Sequence, residues 1–206
     1  MGLDMYLYRV PRYGDVTPRQ IMDMEHYFDW KEHKEKPGSA AKKCSLKAWC
    51  GVDFKTLPQK RIRNFYQQHY TPKCYYWDTE KRYEHNMIFE HVGYWRKVNA
   101  VHNWFVENAQ HGVDDCGYYE VPEYLLEELL NLCRDIKASV SYVNGNKVVD
   151  QLVASEYLPT RSGFFFGDTS YDEWYLKGID DTIEILSEVL TSTDFGTQMI
   201  IYSSSW

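Results

Sequence analysis

The sequence predicts an α+β fold in which a small, mainly antiparallel sheet carries about four main helices within one domain, residues 1–206. Apolar and polar residues alternate at residues 3–9, as in a half-buried strand, and the apolar run at residues 199–202 is predicted as a final strand. Between those ends, capping residues precede segments with helical periodicity. The chain has 206 residues, of which 44% are hydrophobic, so one domain can bury a substantial core.

The first helix is predicted to follow the strand at residues 3–9. Thr17 and Gln20 form a capping-box pattern around Pro18, where a proline suits the first helical turn. Apolar residues then recur at helical spacing: Ile21, Met24 and Phe28. Pro37-Gly38 ends this helix, and residues 36–45 form a loop. A short helix is expected from Pro58, followed by an extended segment at residues 74–77.

The run from Gly93 to Asn108 is predicted as one helix that ends near Gly112. On that helix one face is apolar and packs: Tyr94, Val98, Val101 and Phe105. A neighbouring face mixes aromatic and polar groups: Trp95, Arg96, Asn99, His102 and Asn103. A buried polar group without a partner costs roughly 1–3 kcal/mol, so packing alone does not explain this second face. Two interpretations stay open, a set of structural hydrogen bonds or the wall of a pocket for a polar or aromatic ligand.

Four further elements are predicted in the C-terminal half. Pro122 begins a helix with its core face at Leu125, Leu126, Leu129, Leu132, Cys133 and Ile136. Asn144-Gly145 marks a hairpin turn between β-prone residues. Ser170 and Glu173 form a second capping box, before a helix that buries Tyr175, Ile179, Ile183, Leu186 and Leu190. The strand at residues 199–202 closes the sheet.

Basic and acidic residues are distributed unevenly along the chain. Residues 31–82 contain thirteen Lys and Arg against five Asp and Glu, whereas residues 107–206 contain five against eighteen. We interpret residues 31–82 as a basic, aromatic-rich lobe or insertion with a solvated face. A nucleic-acid partner is not predicted, because no recognition motif is present and the acidic remainder would repel a polyanion. No segment approaches the roughly 18 apolar residues of a membrane span, and no signal-peptide pattern begins the chain, so we expect a cytoplasmic protein without a membrane partner.

The five cysteines have no regular spacing, which argues against a disulfide framework. Cys44, Cys50, His69 and Cys74 lack the paired C-x-x-C spacing of zinc sites, and we predict no metal and no cofactor. Asp114-Asp115-Cys116 has three interpretations: a turn, a site for a hydrated cation, or carboxylates that orient His102. A nucleophilic pair of Cys116 and His102 would require the two side chains within hydrogen-bonding reach.

The segment from Gly163 to Gly167 is predicted as a buried strand or a packed turn. A phosphate loop is not favoured there, because Asp168, Asp172 and Glu173 crowd the following helix start and would repel an anion. Trp206 is expected either to dock into the body of the protein or to be displayed to a partner.

In six segments the sequence resembles a family of hypothetical proteins from phages, prophages and gut bacteria: residues 1–7, 93–108, 114–116, 158–167, 171–175 and 204–206. Members of that family often carry a longer insertion around residues 144–150, so the hairpin there is not expected to be a functional centre. The resemblance implies a phage accessory protein, and such proteins often counter host defence.

Together, the resemblance and the residues lead us to expect a protein that binds and sequesters a small nucleotide-like signalling molecule. In this hypothesis one of three aromatic residues would stack a base: Trp95, Tyr171 or Trp174. Arg96 would bind a phosphate, three residues would contact ribose or base edges, namely Asn99, His102 and Asn103, and Asp114 and Asp115 would complete the site.

Two alternatives stay open. The protein could inhibit a host defence protein through its acidic C-terminal half or through Trp206. It could instead hydrolyse a nucleotide, with His102 and either Asp114 or Asp115 as general base or metal ligands. Homo-oligomerisation is compatible with all three hypotheses.

Overall fold

A computed structural model describes residues 2–71, 74–77, 82–85, 88 and 90–206, with side chains for all of these except residues 74–77, 82–85 and 146. The chain forms two compact units. The sheet unit comprises residues 1–9 and 91–206, and the helical unit comprises residues 10–90.

The strands are β1 (Asp4–Pro11), β2 (Cys74–Trp77), β3 (Arg82–His85), β4 (Glu90–Arg96), β5 (Tyr119–Val121), β6 (Ser141–Val143), β7 (Asn146–Val148) and β8 (Gln198–Ser205). The helices are α1 (Pro18–Glu35), α2 (Leu46–Cys50), α3 (Lys60–His69), α4 (Asn99–Asn108), α5 (Glu123–Ala138), α6 (Gln151–Tyr157) and α7 (Glu173–Ser192), with a 3-10 turn at Ala40–Lys43. The predicted α+β class is confirmed. Four elements were not predicted from the sequence, namely α2, α6, β3 and β5.

The sheet unit is built on an antiparallel sheet in the order β4-β1-β8-β5. β5 pairs with β8 so that Tyr119 lies opposite Tyr202. One face of the sheet packs against the helices, and the core they share includes Leu7 of β1, Phe105 of α4 and Leu186 of α7. Side chains of this type each stabilise the fold by roughly 1.5–3 kcal/mol when fully buried.

The prediction of one helix from Tyr94 to Asn108 was wrong. Residues 90–96 form β4, and its last four residues alternate between the buried and the exposed side, with Gly93 and Trp95 buried and Tyr94 and Arg96 exposed. Lys97 then adopts a left-handed backbone conformation with φ of 60°, and the helix begins only at Asn99. Over seven residues a strand repeat and a helical repeat both fit the apolar pattern, and burial against the core decides in favour of the strand.

Gly93 shows why β4 lies where it does. A Cβ atom at this position would lie 2.7 Å from Cγ2 of Ile185 on α7 and 3.3 Å from Cβ of Leu7 on the neighbouring strand. Only glycine therefore allows β4 to approach α7 this closely.

The predicted C-terminal elements are present with one change in capping. Pro122 precedes α5, and Asn144 and Gly145 both have positive φ, 52° and 83°, as a type I′ hairpin turn requires. The N-cap of α7 is Asp172, whose carboxylate accepts hydrogen bonds from the backbone N–H groups of Trp174 and Tyr175, so the expected Ser170 cap was wrong. The segment at residues 163–167 is a turn, the second of the two structures predicted for it.

The helical unit contains α1, α2, α3 and the β2–β3 hairpin, in which Cys74 lies opposite His85. The capping box of α1 is confirmed, since Thr17 and Gln20 bond each other's backbone N–H groups. On α3, Lys60 and Arg61 are exposed, whereas Tyr66 is buried. Residues 74–77 form strand β2, in agreement with the extended segment expected there. Cys74, one of the four zinc candidates, lies outside the residues whose side chains are described.

Candidate ligand-binding site

Trp95 belongs to the core of the sheet unit. Its side chain is only 2% exposed, and its indole Nε1 donates a 3.0 Å hydrogen bond to Oγ1 of Thr182 on α7. The threonine hydroxyl in turn donates to the Gly178 carbonyl. Because both faces of the indole are enclosed, the expected stacking of a base on Trp95 is not compatible with this arrangement.

Arg96 points to the exposed side of β4. Its guanidinium Nη1 donates hydrogen bonds to both carboxylate oxygens of Asp4, at 2.8 and 3.1 Å, and the Tyr94 hydroxyl donates to the same carboxylate. Arg96 is thus separated from Trp95 by the plane of the sheet, since successive strand residues face opposite sides. The two residues cannot line one pocket.

Asn99 connects the start of α4 to the segment at residues 161–168. Its amide nitrogen donates to the carbonyls of Phe166 and Asp168, at 3.2 and 2.7 Å. Its amide oxygen accepts a 3.0 Å hydrogen bond from the backbone N–H of Arg161. The buried side chain has used both ends of its amide, so Asn99 positions this segment and has little left to offer a ligand.

His102 is fully buried between Tyr202 and Asp114. Nδ1 lies 2.8 Å from the Tyr202 hydroxyl, and Nε2 lies 3.1 Å from Oδ2 of Asp114. Burial lowers the pKa of His102 despite the opposing effect of the Asp114 carboxylate, and it raises the pKa of Tyr202 well above its usual value. A carboxylate only accepts, so Nε2 carries the proton of a neutral ring and Nδ1 accepts from the tyrosine hydroxyl.

Asp114 is the centre of a side-chain cluster, which we call the Asp114 cluster: His102, Asp114, Arg161, Phe166 and Trp206. Oδ2 of Asp114 faces His102 and lies 3.6 Å from Nη2 of Arg161, and Oδ1 accepts a 3.1 Å hydrogen bond from the indole of Trp206. With both oxygens engaged, Asp114 orients its neighbours, which was one of the interpretations left open for it.

Asp115 shapes a turn. Its Oδ1 accepts from the backbone N–H of Gly117 at 2.8 Å and from the Tyr119 hydroxyl at 3.0 Å. The adjacent Cys116 has φ of 55°, and burial raises the pKa of its thiol above the usual range. A thiol that holds its proton is a poor nucleophile, and both His102 nitrogens are already bonded, so the geometry does not favour a Cys116–His102 pair.

The other predicted site residues lie outside the Asp114 cluster. Tyr171 accepts a hydrogen bond from the Thr160 backbone and packs edge-on against Tyr175. Trp174 is 70% exposed on the first turn of α7. Asn103 is half-buried on α4. Of the nine predicted residues, the structure therefore brings only His102 and Asp114 into one cluster, with Asn99 beside them.

Two members of the Asp114 cluster were not predicted from the sequence, namely Arg161 and Phe166. Cζ of Arg161 lies 6.0 Å above the Phe166 ring, and that ring packs edge-on against both His102 and Trp206. Arg161 is one of only five basic residues in positions 107–206, and it adjoins the apolar run at residues 163–167. This isolated positive charge beside an apolar run is the sequence feature that could have identified Arg161 as a site residue.

The Arg161 side chain is 34% exposed, and Trp206 is 47% exposed. Nη2 of Arg161 forms an ion pair with Asp114 at 3.6 Å, and its buried Nη1 has no hydrogen-bond partner within the described residues. A guanidinium offers five N–H donors. The Asp114 cluster therefore presents a partly exposed guanidinium with unused donors and a partly exposed indole, both packed on the Phe166 ring.

Comparisons of the chain with protein-family models, curated proteins and solved structures gave no match. Across the described part of the chain, no three His, Cys, Asp or Glu side chains converge as metal ligands would. Nor does any helix there combine the length and the hydrophobicity that a membrane crossing requires.

Proposed function

We propose that the sheet unit binds a small nucleotide-like molecule at the Asp114 cluster and sequesters it without cleaving it. The observation that carries this proposal is the Arg161 guanidinium, which is half-buried, is paired only with Asp114 at 3.6 Å and keeps unused donors, in the same cluster as a partly exposed indole. An anionic group of the ligand would accept from Arg161, and its planar base would stack on Trp206. Asn99 supports the arrangement by fixing the Arg161 backbone.

Sequestration is favoured over hydrolysis by the state of His102. A general base must be within reach of the proton that it removes. His102 is fully buried, and its two nitrogens are bonded to Tyr202 and Asp114. His102 therefore positions Asp114 and does not face a ligand.

The biological setting extends the proposal. A protein that resembles phage and prophage proteins and removes a nucleotide signal would act in the bacterial cytoplasm, as an accessory protein that counters host defence. This part rests on the resemblance of the sequence and on the ligand that the Asp114 cluster would take.

The test is a ligand panel with the purified protein. Thermal shifts are measured with nucleoside monophosphates, cyclic nucleotides and ADP-ribose, and the bound material is then released by heat and identified by mass spectrometry. We expect a stabilising ligand that is recovered unchanged. Recovery of a cleaved product would overturn sequestration in favour of hydrolysis, and no shift with any ligand would overturn both.

Three variants locate the site. Arg161→Gln should weaken ligand binding about tenfold or more, since a hydrogen bond to a charged group is worth about 1.5–3 kcal/mol. Trp206→Ala should also weaken binding, whereas Trp206→Phe keeps the aromatic surface and loses only the Asp114 hydrogen bond. Arg134→Gln removes the same charge from an exposed position on α5 and is the matched control. Equal affinity of Arg161→Gln and Arg134→Gln would refute the site.

A second function has one observation in its favour. The sheet unit displays Phe164 and Trp174, 95% and 70% exposed, on a unit with nineteen acidic and eight basic residues. Exposed aromatic anchors on an acidic surface suit a basic protein partner, such as a host defence protein. In cells where the wild-type protein suppresses a phage defence, this function predicts that Phe164→Ser and Trp174→Ser abolish suppression while Arg161→Gln retains it.

A further inference from the structure

The side chains of Arg96 and Lys97 both pass over Gly2, in the sheet unit. A Cβ atom on Gly2 would lie 3.1 Å from Nη2 of Arg96 and 3.3 Å from Cε of Lys97. These two side-chain atoms are therefore no more than about 6.4 Å apart, the sum of the two distances. Both side chains are exposed, so each is accessible to a solute.

The negative charge near this pair does not balance it. Asp4 is ion-paired with Arg96 through Nη1, whereas Lys97 has no ion pair or hydrogen bond from its ammonium within the described residues. The three groups together leave a net charge of about +1, in a unit with eight basic and nineteen acidic residues. Two positive groups on neighbouring side chains repel each other, and an anion bound between them would be attracted to both.

The backbone conformation of Lys97 is energetically unfavourable. Its φ of 60° is in the left-handed region, which residues other than Gly, Asn and Asp seldom adopt. Lys97 is fixed there by its N–H, which donates a 2.8 Å hydrogen bond to the Leu3 carbonyl, and by close packing against Gly167, whose Cβ position lies 3.2 Å from Cβ of Lys97. Residues held in such conformations concentrate at functional sites.

We propose that Arg96 and Lys97 form a binding site for a tetrahedral oxyanion, a phosphate or a phosphomonoester, above Gly2. A phosphate oxygen would accept from Nη2 of Arg96 and another from the Lys97 ammonium, while Asp4 keeps the guanidinium oriented. Gly2 leaves the space in which the two side chains converge. The site does not include any residue of the Asp114 cluster, so its test is independent of the test of the proposed function.

The probe is inorganic phosphate, titrated against the purified protein in chloride buffer and followed by phosphorus NMR line broadening and by calorimetry. We expect saturable binding to one site. Methyl phosphate and ribose 5-phosphate form the second arm. Tighter binding of these esters would identify a phosphomonoester as the ligand, and equal or weaker binding would identify free phosphate. Either result agrees with the site, and an absence of saturable phosphate binding in wild type would overturn it.

Variants separate this site from general charge effects. Lys97→Gly removes the cation and suits the left-handed backbone, so it should lower phosphate affinity about tenfold without lowering the melting temperature. Lys97→Arg should restore most of the affinity. Gly2→Ala adds a Cβ that pushes the two flexible side-chain ends apart, and it should weaken binding while the fold is kept.

Lys147→Asn is the matched control, since it removes one positive charge from an exposed hairpin position in the same unit. It should bind phosphate like wild type. Loss of affinity in Lys147→Asn equal to that in Lys97→Gly, or unchanged affinity in Lys97→Gly, would overturn the proposal.

Discussion

At the residue scale, His102 shows how burial decides what a polar group does. The same side chain suits a catalytic base or a structural hydrogen-bonding group, and the sequence left both open. Between Tyr202 and Asp114 it has a defined tautomer and a lowered pKa. A buried histidine of this kind links the stability of the fold to pH.

The free energy of unfolding should therefore fall as the pH decreases below about 6.5. The pKa of His102 is lower in the folded protein than in the unfolded chain, so below the unfolded value of about 6.5 the unfolded chain binds the extra proton first. The contribution of His102 is complete above that pH and is lost as the pH falls toward the folded pKa, by up to about 1.4 kcal/mol per pH unit. Urea unfolding at pH 7.5, 6.5 and 5.5 measures the slope.

His102→Gln should remove much of this slope while lowering stability at pH 7.5. The matched control is His111→Gln, because His111 is exposed just beyond α4 and should leave the slope unchanged. A wild-type slope that persists in His102→Gln would mean that other groups cause the pH dependence.

Trp95 gives the second prediction at this scale. Trp95→Phe removes indole volume from the core and leaves the Thr182 hydroxyl without its donor, so the free energy of unfolding should fall by about 1–3 kcal/mol. Trp174→Phe changes the same residue type at an exposed position and should cost less than about 0.5 kcal/mol. Ligand affinity at the Asp114 cluster should be the same in both. Chemical denaturation gives the first quantity, and a loss of affinity in Trp95→Phe alone would restore Trp95 to the site.

At the element scale, the cap of α1 and the long periodic segments were predictable from the sequence, whereas the cap of α7 and the run from Gly93 to Asn108 were not. Helix α1 is marked by Thr17 and Gln20, which act locally, so the sequence alone identifies its start. Strand β4 depends on contacts with residues far along the chain, such as Leu7 and Ile185. The same reason explains the site, because only the tertiary fold brings Arg161 and Trp206 to Asp114.

Helix α7 offers a test of close packing between elements. Gly178 lies inside α7, where a Cβ would be 2.7 Å from Cγ1 of Val98. Gly178→Ala gains about 1 kcal/mol of helix propensity but incurs an overlap that typically costs about 1–3 kcal/mol, so it should be neutral to destabilising. Adding Val98→Ala removes the overlap. In a double-mutant cycle by urea unfolding, the pair should be less destabilised than the sum of the single variants, and strict additivity would contradict this packing.

At the scale of the whole molecule, charge is distributed unequally between the units. The sheet unit carries nineteen acidic and eight basic residues, and the helical unit carries eleven and fifteen. The sequence revealed the acidic C-terminal half, but the topology was needed to add residues 1–9 to it. In the sequence, the helical unit lies between β1 and β4, which are neighbours in the sheet. Along the chain, the acidic composition of the sheet unit is therefore interrupted by the more basic helical unit.

Self-repulsion within the sheet unit should make the protein more stable at moderate salt than at low salt. Raising NaCl from 20 to 300 mM at pH 7.5 should increase the melting temperature by about 2–4 °C, equivalent to about 1 kcal/mol for a chain of this size. Chloride is used because sulfate or phosphate would add preferential exclusion, and binding at Arg96 and Lys97, to the screening. Neutralising three exposed carboxylates, in the combined variant Glu127→Gln, Glu128→Gln and Glu188→Gln, should raise the melting temperature at 20 mM and flatten the salt dependence. A wild-type melting temperature that falls with salt would instead show that the ion pairs Lys137–Asp180 and Lys177–Asp181 outweigh the repulsion.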